Sequence, residues 1–283
     1  MGKISILTDS LAGLPAELIQ QYGIRIIPGI LTINGKNYRD NVDITPDEFW
    51  KMFPAIKTYT STAPSPGEFV KFFQDAGQTA SDIIFIATSK QMSAIYQSAV
   101  SAQEILKTEN PLLHIQVIDS KYAVGAMGFI VIEAIRAVNA GKNLDQVLQI
   151  IKDMMGKVRS VAVMDSLKYL IRSGRAPKTA YLGQLLGIKP LVGMVSGNGM
   201  AESLGTVRGK EPSFQKLIAL IAEYTDINRP LHAMVQYTNS LADGKKLQEM
   251  VRTRYNCAEL YITPYTPIIA GHSGPINSIA FYS

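Results

Sequence analysis

Residues 83–120 read IIFIATSKQMSAIYQSAVSAQEILKTENPLLHIQVIDS and contain two short apolar runs separated by a helical pattern. The first run ends at Thr88-Ser89, and the second ends at Asp119-Ser120. Ser93 stands at the start of the helical pattern between them. Short β-branched runs that alternate with helices indicate βα units whose strands lie parallel in a buried sheet. We therefore predict an α/β fold.

The same arrangement of an apolar run followed by polar residues occurs at two other places. The run ISIL ends at Thr8-Asp9-Ser10, and the run VAVM ends at Asp165-Ser166. Polar residues at the carboxyl ends of parallel strands mark the edge at which α/β sheets bind ligands. Asp and Ser at these positions are also typical N-caps of the helices that follow. The sequence leaves both interpretations open.

Turn and capping signals subdivide the N-terminal part of the chain. Asn34-Gly35 predicts a tight hairpin turn, and Thr45 and Ser65 each begin a capping box followed by a helix. The hydroxyl-rich stretch TYTSTAPS, residues 58–65, is expected to form a loop. A long helix over residues 122–139 is apolar on more than one face, so we expect it to lie buried between layers.

The pattern changes after residue 157. A strand is followed by short helices and by a hairpin whose turn lies at residues 196–199. Strands joined by a hairpin and mixed with helices are typical of an α+β domain. We predict an N-terminal α/β domain, residues 1–157, with a mostly parallel sheet flanked by helices. Residues 158–283 should form a C-terminal α+β domain with a mixed or antiparallel sheet.

Composition restricts the kinds of function that the chain can have. The 283 residues carry a net charge of +5, but Lys and Arg are scattered, so we expect no nucleic-acid partner. The single cysteine, Cys257, excludes an intramolecular disulfide. No stretch has the ~18 consecutive apolar residues of a membrane span, and the N-terminus lacks the apolar region of a signal peptide. We expect a cytoplasmic protein without stable membrane insertion.

Motifs for nucleotide and metal chemistry are absent from the sequence. We find no phosphate-binding GxxxxGK[ST] loop, no GxGxxG after the first strand, no GxSxG elbow and no HExxH pair. The histidines and the single cysteine do not have metal-ligand spacing. We therefore expect neither a metal nor an organic cofactor.

One segment carries positive charge next to turn glycines. Residues 165–209 contain Arg175, Lys189 and Arg208 with few carboxylates nearby. Arginine presents a planar fork that suits a carboxylate or phosphate, although a lone arginine is more often a surface residue. His272 lies in AGHSGPIN, which we interpret as a glycine-flanked turn. Its imidazole is either an anion donor or a solvent-exposed side chain.

Hydroxyl side chains form the other candidate anion site. Thr60, Ser61 and Thr62 precede the helix that begins at Pro66, and Ser93 precedes a second helix. Neutral donors at helix starts hold anions with the help of the helix dipole. Capping alone would explain Ser93, but it explains three consecutive hydroxyls outside the helix less well.

In order and spacing, these pieces resemble the DegV family over some 270 residues. The family's Thr-Ser-x-Pro-Ser loop corresponds to Ser61-Thr62-Ala63-Pro64-Ser65, and its Leu-Ser-Gly-Thr-Tyr helix start corresponds to Met92-Ser93-Ala94-Ile95-Tyr96. The other matching pieces, in chain order, are ILTDS, Val117-Ile118-Asp119-Ser120, Gly174-Arg175, Ile188-Lys189-Pro190, Val207-Arg208-Gly209 and His272-Ser273-Gly274-Pro275.

The resemblance implies a carrier of a palmitate-like long-chain fatty acid rather than an enzyme. It implies that the acyl chain lies in a buried tunnel at the interface of the two domains, and that a kinase subunit receives the fatty acid and makes acyl phosphate with its own ATP and metal. The resemblance assigns the carboxylate of the fatty acid to Ser61, Thr62 and Ser93. It assigns a supporting network to Arg175, Arg208 and His272.

The chain departs from the family pattern at three positions beside the expected site. Ala94-Ile95 replaces Gly-Thr, and Ile276 replaces the usual glycine. We expect this added bulk to change the mouth of the pocket or the ligand preference. Two alternatives remain: an enzyme that acts on a small anionic substrate with Asp119 or His272 as acid or base, and a binding module for another apolar anion.

Overall fold

The computed structural model describes residues 3–173 and 187–283, which contain thirteen strands and ten α-helices. The strands are β1 (Ile4–Asp9), β2 (Arg25–Ile27), β3 (Ile30–Ile33), β4 (Lys36–Arg39), β5 (Tyr59–Thr62), β6 (Asp82–Ala87), β7 (His114–Asp119), β8 (Arg159–Met164), β9 (Ile188–Met194), β10 (Glu202–Arg208), β11 (Leu231–Tyr237), β12 (Cys257–Pro264) and β13 (Ile276–Tyr282). The helices are α1 (Ala16–Tyr22), α2 (Pro46–Met52), α3 (Pro66–Gly77), α4 (Ile95–Glu109), α5 (Val124–Asn139), α6 (Leu144–Lys157), α7 (Lys168–Arg172), α8 (Lys210–Tyr224), α9 (Leu241–Arg254) and α10 (Pro267–Ser273).

The first sheet is parallel throughout, as the alternation of strands and helices predicts. Its four strands lie in the order β2-β1-β6-β7, with Leu7 opposite Phe85 and Phe85 opposite Val117. Strand β6 is buried along nearly its whole length. Parallel pairing brings the carboxyl ends of β1, β6 and β7 to the same edge of the sheet. The polar residues that follow these strands therefore stand side by side.

Helix α5 lies between the parallel sheet and a second sheet, and it is buried on nearly every face. Two glycines allow this close packing. A Cβ on Gly128 would lie 2.8 Å from the carbonyl oxygen of Ala12, and a Cβ on Gly125 would lie 2.8 Å from the Cβ of Ala280. The prediction of a buried helix between layers is confirmed.

The second sheet is mixed and has six strands in the order β10-β9-β8-β13-β11-β12. All pairs are antiparallel except β11 with β12. Apolar side chains of α8 and α9 pack against it to form a separate core cluster. Its first strand in the sequence, β8, begins at Arg159, next to the predicted domain boundary. The division into domains 1–157 and 158–283 stays a prediction.

A third sheet, antiparallel and of order β4-β3-β5, corrects the sequence analysis at one point. Asn34 and Gly35 have φ values of 49° and 84°, and they form the predicted two-residue hairpin turn between β3 and β4. Of the stretch predicted as a hydroxyl-rich loop, residues 58–65, Tyr59–Thr62 instead form strand β5, in which Ser61 pairs with Leu31, whereas residues 63–65 lie outside any strand or helix. Tyr and Thr favour extended structure, and the partner strand lies too far away in the sequence for a local pattern to reveal it.

A cluster of charged side chains ties α5 to the outer strands of the mixed sheet. The Glu259 carboxylate accepts hydrogen bonds from Arg136, from His232 Nδ1 at 2.8 Å and from the Tyr261 hydroxyl at 2.8 Å. Burial by itself raises the pKa of Glu259, but the hydrogen bonds from Arg136 and His232 outweigh it and lower the pKa to about 2. The cluster therefore holds Glu259 ionised.

Within the part of the chain that the structure describes, no helix is long and apolar enough to cross a membrane.

We predict that Glu259→Gln lowers the free energy of unfolding by about 1–3 kcal/mol, because Arg136 loses the charge of its half-buried partner. Urea denaturation measures the change. The matched control is Glu249→Gln, which removes the carboxylate of an exposed pair with Arg252 and should cost at most about 0.5 kcal/mol. Equal effects of the two substitutions would contradict a structural role for the cluster.

Candidate functional site

A cavity of about 680 Å³ lies at the carboxyl edge of the parallel sheet. Its walls come from the segment after β6, the start of α4, the end of β5 with the start of α3, and helices α7 and α10. The cavity is lined by the three residues that are predicted to bind the carboxylate, Ser61, Thr62 and Ser93, and by His272. The structure thus brings these four side chains to one space, while their role in binding a carboxylate stays a prediction.

Ser61 and His272 face each other across the cavity wall. The Ser61 hydroxyl oxygen lies 2.7 Å from His272 Nε2, within hydrogen-bonding distance. The Tyr59 ring packs edge-on against the imidazole at 5.0 Å, and its hydroxyl donates to the Ile268 carbonyl at 2.7 Å. A Cβ on Gly271 would overlap the Tyr59 ring, so β5 and α10 approach closely because this residue is glycine. The two elements form one continuous wall.

The position of His272 corrects the prediction of a glycine-flanked turn. The residue lies in the last turn of α10 and is buried, with 8% of its surface exposed. Pro267 at the first helical position favours helix initiation, and Gly274 adopts a φ of 64° immediately after the helix ends. The glycine on the other side, Gly271, serves close packing rather than a turn.

Ser93 both supports the start of α4 and offers a donor to the cavity. Its hydroxyl oxygen accepts a hydrogen bond from the Ile95 backbone N–H at 3.3 Å. This bond uses a lone pair, and the hydroxyl proton of Ser93 has no acceptor among the residues that the structure describes. On the same wall, the Ser98 hydroxyl donates to the Pro64 carbonyl at 2.5 Å and joins α4 to the segment before α3.

Of the predicted cationic residues, the two that the structure describes do not line the larger cavity. Arg175 lies outside the described ranges 3–173 and 187–283. Arg208 ends β10 opposite Ile188 and does not line the cavity. Lys189 is paired with Asp165, with 2.6 Å between Nζ and Oδ1, so the expectation of an unneutralised charge is wrong for this residue. The register of β9 brings this carboxylate to Lys189 from the segment after β8.

Asp119 was the predicted acid or base of the alternative enzyme. Its carboxylate binds backbone N–H groups. Its carboxylate accepts hydrogen bonds from the N–H groups of Lys90 at 3.2 Å and Lys121 at 3.1 Å. Asp119 does not line the cavity. Among the described parts of the chain, no group of His, Cys, Asp and Glu is arranged to hold a metal ion.

A second, smaller cavity of about 100 Å³ adjoins the first and is almost wholly apolar. The two cavities share five wall residues: Met92, Ala123, Leu170, Ile269 and Ser273. Beyond these residues the smaller cavity extends between the start of α5 and the mixed sheet, past Met164 and Val192. A compartment that carries hydroxyl side chains on largely apolar walls is therefore followed by an almost wholly apolar one.

The three residues that depart from the family pattern line different cavities. Ala94 and Ile95 line the larger cavity next to Ser93, as expected for residues at the pocket mouth. Ile276 lines the smaller, apolar cavity instead. Any effect of Ile276 on the ligand would therefore act at the apolar compartment and not at the mouth.

Two buried carboxylates hold the walls of the larger cavity, and sequence reasoning identified only the first of them as a candidate. Asp9 caps a short helical turn by accepting from the Leu11 N–H at 2.9 Å. It also accepts from the Thr88 N–H at 2.8 Å and from the Thr88 hydroxyl at 2.7 Å. Capping and a shared polar edge, the two interpretations left open by the sequence, are both correct here. Burial raises the pKa of Asp9 to about 6, although these bonds lower it.

Asp40 is the second buried carboxylate and carried no signal in the sequence, because its partners come from distant segments. It accepts from the Ser10 hydroxyl at 2.7 Å and from the Ile268 N–H at 3.0 Å. Burial and, to a smaller extent, the charge of Asp9 raise the pKa of Asp40 to about 7, against the effect of these hydrogen bonds.

We predict that stability falls as the pH rises from about 5 to about 7. An unfolded Asp releases its proton near pH 3.8, whereas folded Asp40 keeps it to about pH 7, so the folded state binds more protons in this range. One such group contributes a slope of up to about −1.4 kcal/mol per pH unit to the free energy of unfolding. Urea denaturation across this range should show a shallower slope for Asp40→Asn than for the wild type.

Asp43→Asn is the matched control for this experiment. Asp43 is exposed, and hydrogen bonds from Arg39 lower its pKa to about 2, so it is ionised throughout the range in both states. The slope of this variant should equal that of the wild type. If Asp40→Asn also keeps the wild-type slope, Asp40 is not protonated in the folded protein near neutral pH.

Known proteins show the same architecture and much of the same sequence. The family model described as "Uncharacterised protein, DegV family" matches residues 3–283. A DegV domain-containing protein of Caldanaerobacter subterraneus is 34% identical over 219 residues, which cover 77% of this chain and 76% of the relative. One from Streptococcus pyogenes serotype M1 is 28% identical over 281 residues, which cover 98% and 96% of the two chains.

Solved structures agree with this assignment. A DegV family protein from Thermus thermophilus, described as binding a fatty acid, superimposes with a TM-score of 0.90 at 25% identity and covers 99% of both chains. DegV of Bacillus subtilis, described as a fatty acid binding protein, superimposes with a TM-score of 0.88 at 23% identity, covering 100% of this chain and 99% of that one. The chain described above belongs to the DegV family.

Proposed function

We propose that the protein binds a long-chain fatty acid, with the carboxylate in the larger cavity and the acyl chain directed into the smaller one. Ser61, Thr62 and Ser93 hold the carboxylate. His272, Arg175 and Arg208 form the supporting network. The observation that carries the proposal is the Ser61–His272 pair at the wall of the larger cavity, which adjoins an almost wholly apolar one.

The larger cavity suits a carboxylate because its largely apolar walls carry hydroxyl donors at Ser61, Thr62 and Ser93. A buried carboxylate without partners costs several kcal/mol, so a head group in this cavity requires hydrogen bonds. The Ser93 hydroxyl supplies a proton. When His272 Nε2 carries the imidazole proton and donates it to Ser61 Oγ, the Ser61 hydroxyl proton is available as a second donor. These groups orient the ligand and offset the loss of its hydration.

The acyl chain provides most of the binding free energy. Each buried CH₂ contributes about 0.8 kcal/mol at most, so a chain of palmitate-like length outweighs the few hydrogen bonds of the head group. The walls shared by the two cavities are apolar at Met92, Leu170 and Ile269. Chain length and saturation then depend on how far the apolar compartment accepts the tail.

Solved structures with the same fold support a fatty acid as the ligand. The proteins from Thermus thermophilus and Bacillus subtilis are both described as binding fatty acids, and they share this fold over the whole chain. A structure from Eubacterium ventriosum is described as a stearic acid-binding protein and superimposes with a TM-score of 0.90. A saturated long-chain acid is accordingly our first choice of probe.

The proposal includes the role of a cytoplasmic carrier rather than that of an enzyme. The protein presents its bound fatty acid to the ATP-binding subunit of a fatty acid kinase, which forms the acyl phosphate. The larger cavity lies at the predicted junction of residues 1–157 and 158–283, because α7 and α10 contribute to its walls beside α4 and β5. The partner would need only to reach the head group at this cavity.

Native mass spectrometry of protein purified from cells tests the ligand directly. An excess mass equal to that of a fatty acid, lost on denaturation, is the expected result and also gives the chain length. Protein that carries no lipid and takes up no added palmitate would overturn the proposal. Turnover of a small carboxylate or phosphate compound would then favour the alternative enzyme.

We predict that Ser61→Ala and Ser93→Ala each weaken palmitate binding by about twofold to tenfold, the effect of one hydrogen bond. Isothermal titration of delipidated protein measures the dissociation constants. Ser101→Ala is the matched control, because Ser101 lines the same cavity but its hydroxyl donates to the Gln97 carbonyl within α4. An equal loss in all three variants would argue against a specific head-group site at Ser61 and Ser93.

We also predict that a fatty acid kinase ATP-binding subunit forms acyl phosphate from palmitate only when this protein is present. Radiolabelled ATP and thin-layer separation of the product measure the reaction. Ser93→Ala should lower the rate at subsaturating palmitate, because the variant retains the fatty acid less well. At saturating palmitate the rate of the variant should equal that of the wild type. Product formation by the protein alone would contradict the carrier role.

A further inference from the structure

Helix α10 carries His272, but the sequence around its N-terminus does not cap it. The helix begins at Pro267, and the side chain of its N-cap residue, Thr266, makes no capping hydrogen bond. The first free N–H of the helix, that of Ile268, donates instead to Asp40 Oδ1 at 3.0 Å. The partner is a carboxylate 228 residues earlier in the chain.

Asp40 is itself fixed between two other elements. Its second carboxylate oxygen accepts from the Ser10 hydroxyl at 2.7 Å, and the Ser10 oxygen accepts from the Gly29 N–H at 3.1 Å. The Asp40 N–H donates to the Gly29 carbonyl at 2.9 Å. With 1% of its surface exposed, Asp40 joins the end of β1, the start of β3 and the start of α10.

The other end of α10 faces the cavity. Ile269 and His272 project from the helix into the cavity wall, and His272 meets Ser61 on β5. A seven-residue helix is about 10 Å long, so a shift at its N-terminus is carried to its last turn. The contact between His272 and Ser61 therefore depends on how firmly α10 is held at its start.

We propose that Asp40 is a positioning residue for the ligand's head group: its ionised carboxylate holds the N-terminus of α10 and so keeps His272 against Ser61 at the cavity wall. The proposal rests on the proposed function for the identity of the ligand. A carboxylate accepts hydrogen bonds that are roughly twice as strong as those to a neutral group. A negative charge also interacts favourably with the N-terminus of a helix.

The charge at this position changes near neutral pH. Burial, with a smaller effect from Asp9 at the end of β1, raises the pKa of Asp40 to about 7. The groups that face Asp40 from α10 and its N-cap are the Ile268 N–H and the Thr266 hydroxyl, and Ser10 faces it beside Asp9. His272 is the titratable group at the far end of the same helix. The hydrogen bond from the Ile268 N–H lowers the pKa of Asp40, so this bond is stronger to the ionised carboxylate and strengthens as the pH rises, although ionisation of a buried carboxylate lowers the free energy of unfolding.

Asp40→Asn tests the charge while keeping the size of the side chain and an oxygen for the Ile268 N–H. Palmitate dissociation constants are measured at pH 6 and pH 8 for the wild type and the variant. Ionisation of palmitate is common to both proteins and cancels in the ratio of their constants. We expect this ratio, variant over wild type, to be near one at pH 6 and to rise about fivefold by pH 8, the effect of one charge-assisted hydrogen bond. A ratio that does not change with pH would overturn the proposal.

Asp43→Asn is the matched control, since it removes an exposed carboxylate three positions away and should leave the ratio at one.

The imidazole resonances of His272 in ligand-free protein provide a second readout that needs no fatty acid. They should differ between the wild type and Asp40→Asn at pH 8 and coincide more closely at pH 6. Identical resonances at both pH values would overturn the positioning role even if palmitate fails to bind. Failure of the wild type to bind palmitate would count against the proposed function alone.

Discussion

The hydrogen bonds to two buried carboxylates, Asp9 and Asp40, are the interactions on which the cavity depends. Asp9 fixes the segments after β1 and β6 to each other, and Asp40 fixes β1 to α10. Burying two carboxylates is costly, as their raised pKa values indicate. The fold accepts this cost because each carboxylate satisfies backbone N–H groups that would otherwise lie unpaired at the edge of a cavity.

The position of the cavity follows from the packing of α5. This helix is buried between the parallel and mixed sheets, and its glycines bring both sheets close. Its N-terminal end reaches the carboxyl edge of the parallel sheet, so the space left beside it is bounded by polar strand ends on one side and by apolar faces of the mixed sheet on the other. A ligand with a polar head and an apolar tail matches this division.

The sequence predicted those parts of the structure that depend on local signals. Short β-branched runs alternating with helices predicted the parallel strands, Asn34-Gly35 predicted a hairpin turn, and the capping box at Ser65 predicted the start of α3. The predictions at residues 59–62 and at His272 were wrong, because β5 forms by pairing with the distant strand β3 and packs against α10. Asp40 had no local signal at all, since its partners lie 30 and 228 residues away.

The candidate site shows the same division between local and distant determinants. Ser61, Thr62 and Ser93 were recognisable as hydroxyls near helix starts, and the fold brings all three to one cavity. Lys189 looked like a free cation until the strand register placed it beside Asp165. Side chains that line one cavity can thus be inferred from their chemistry and spacing. The groups that hold them in place, such as Asp40 through α10, become visible only when segments far apart in the chain are seen in contact.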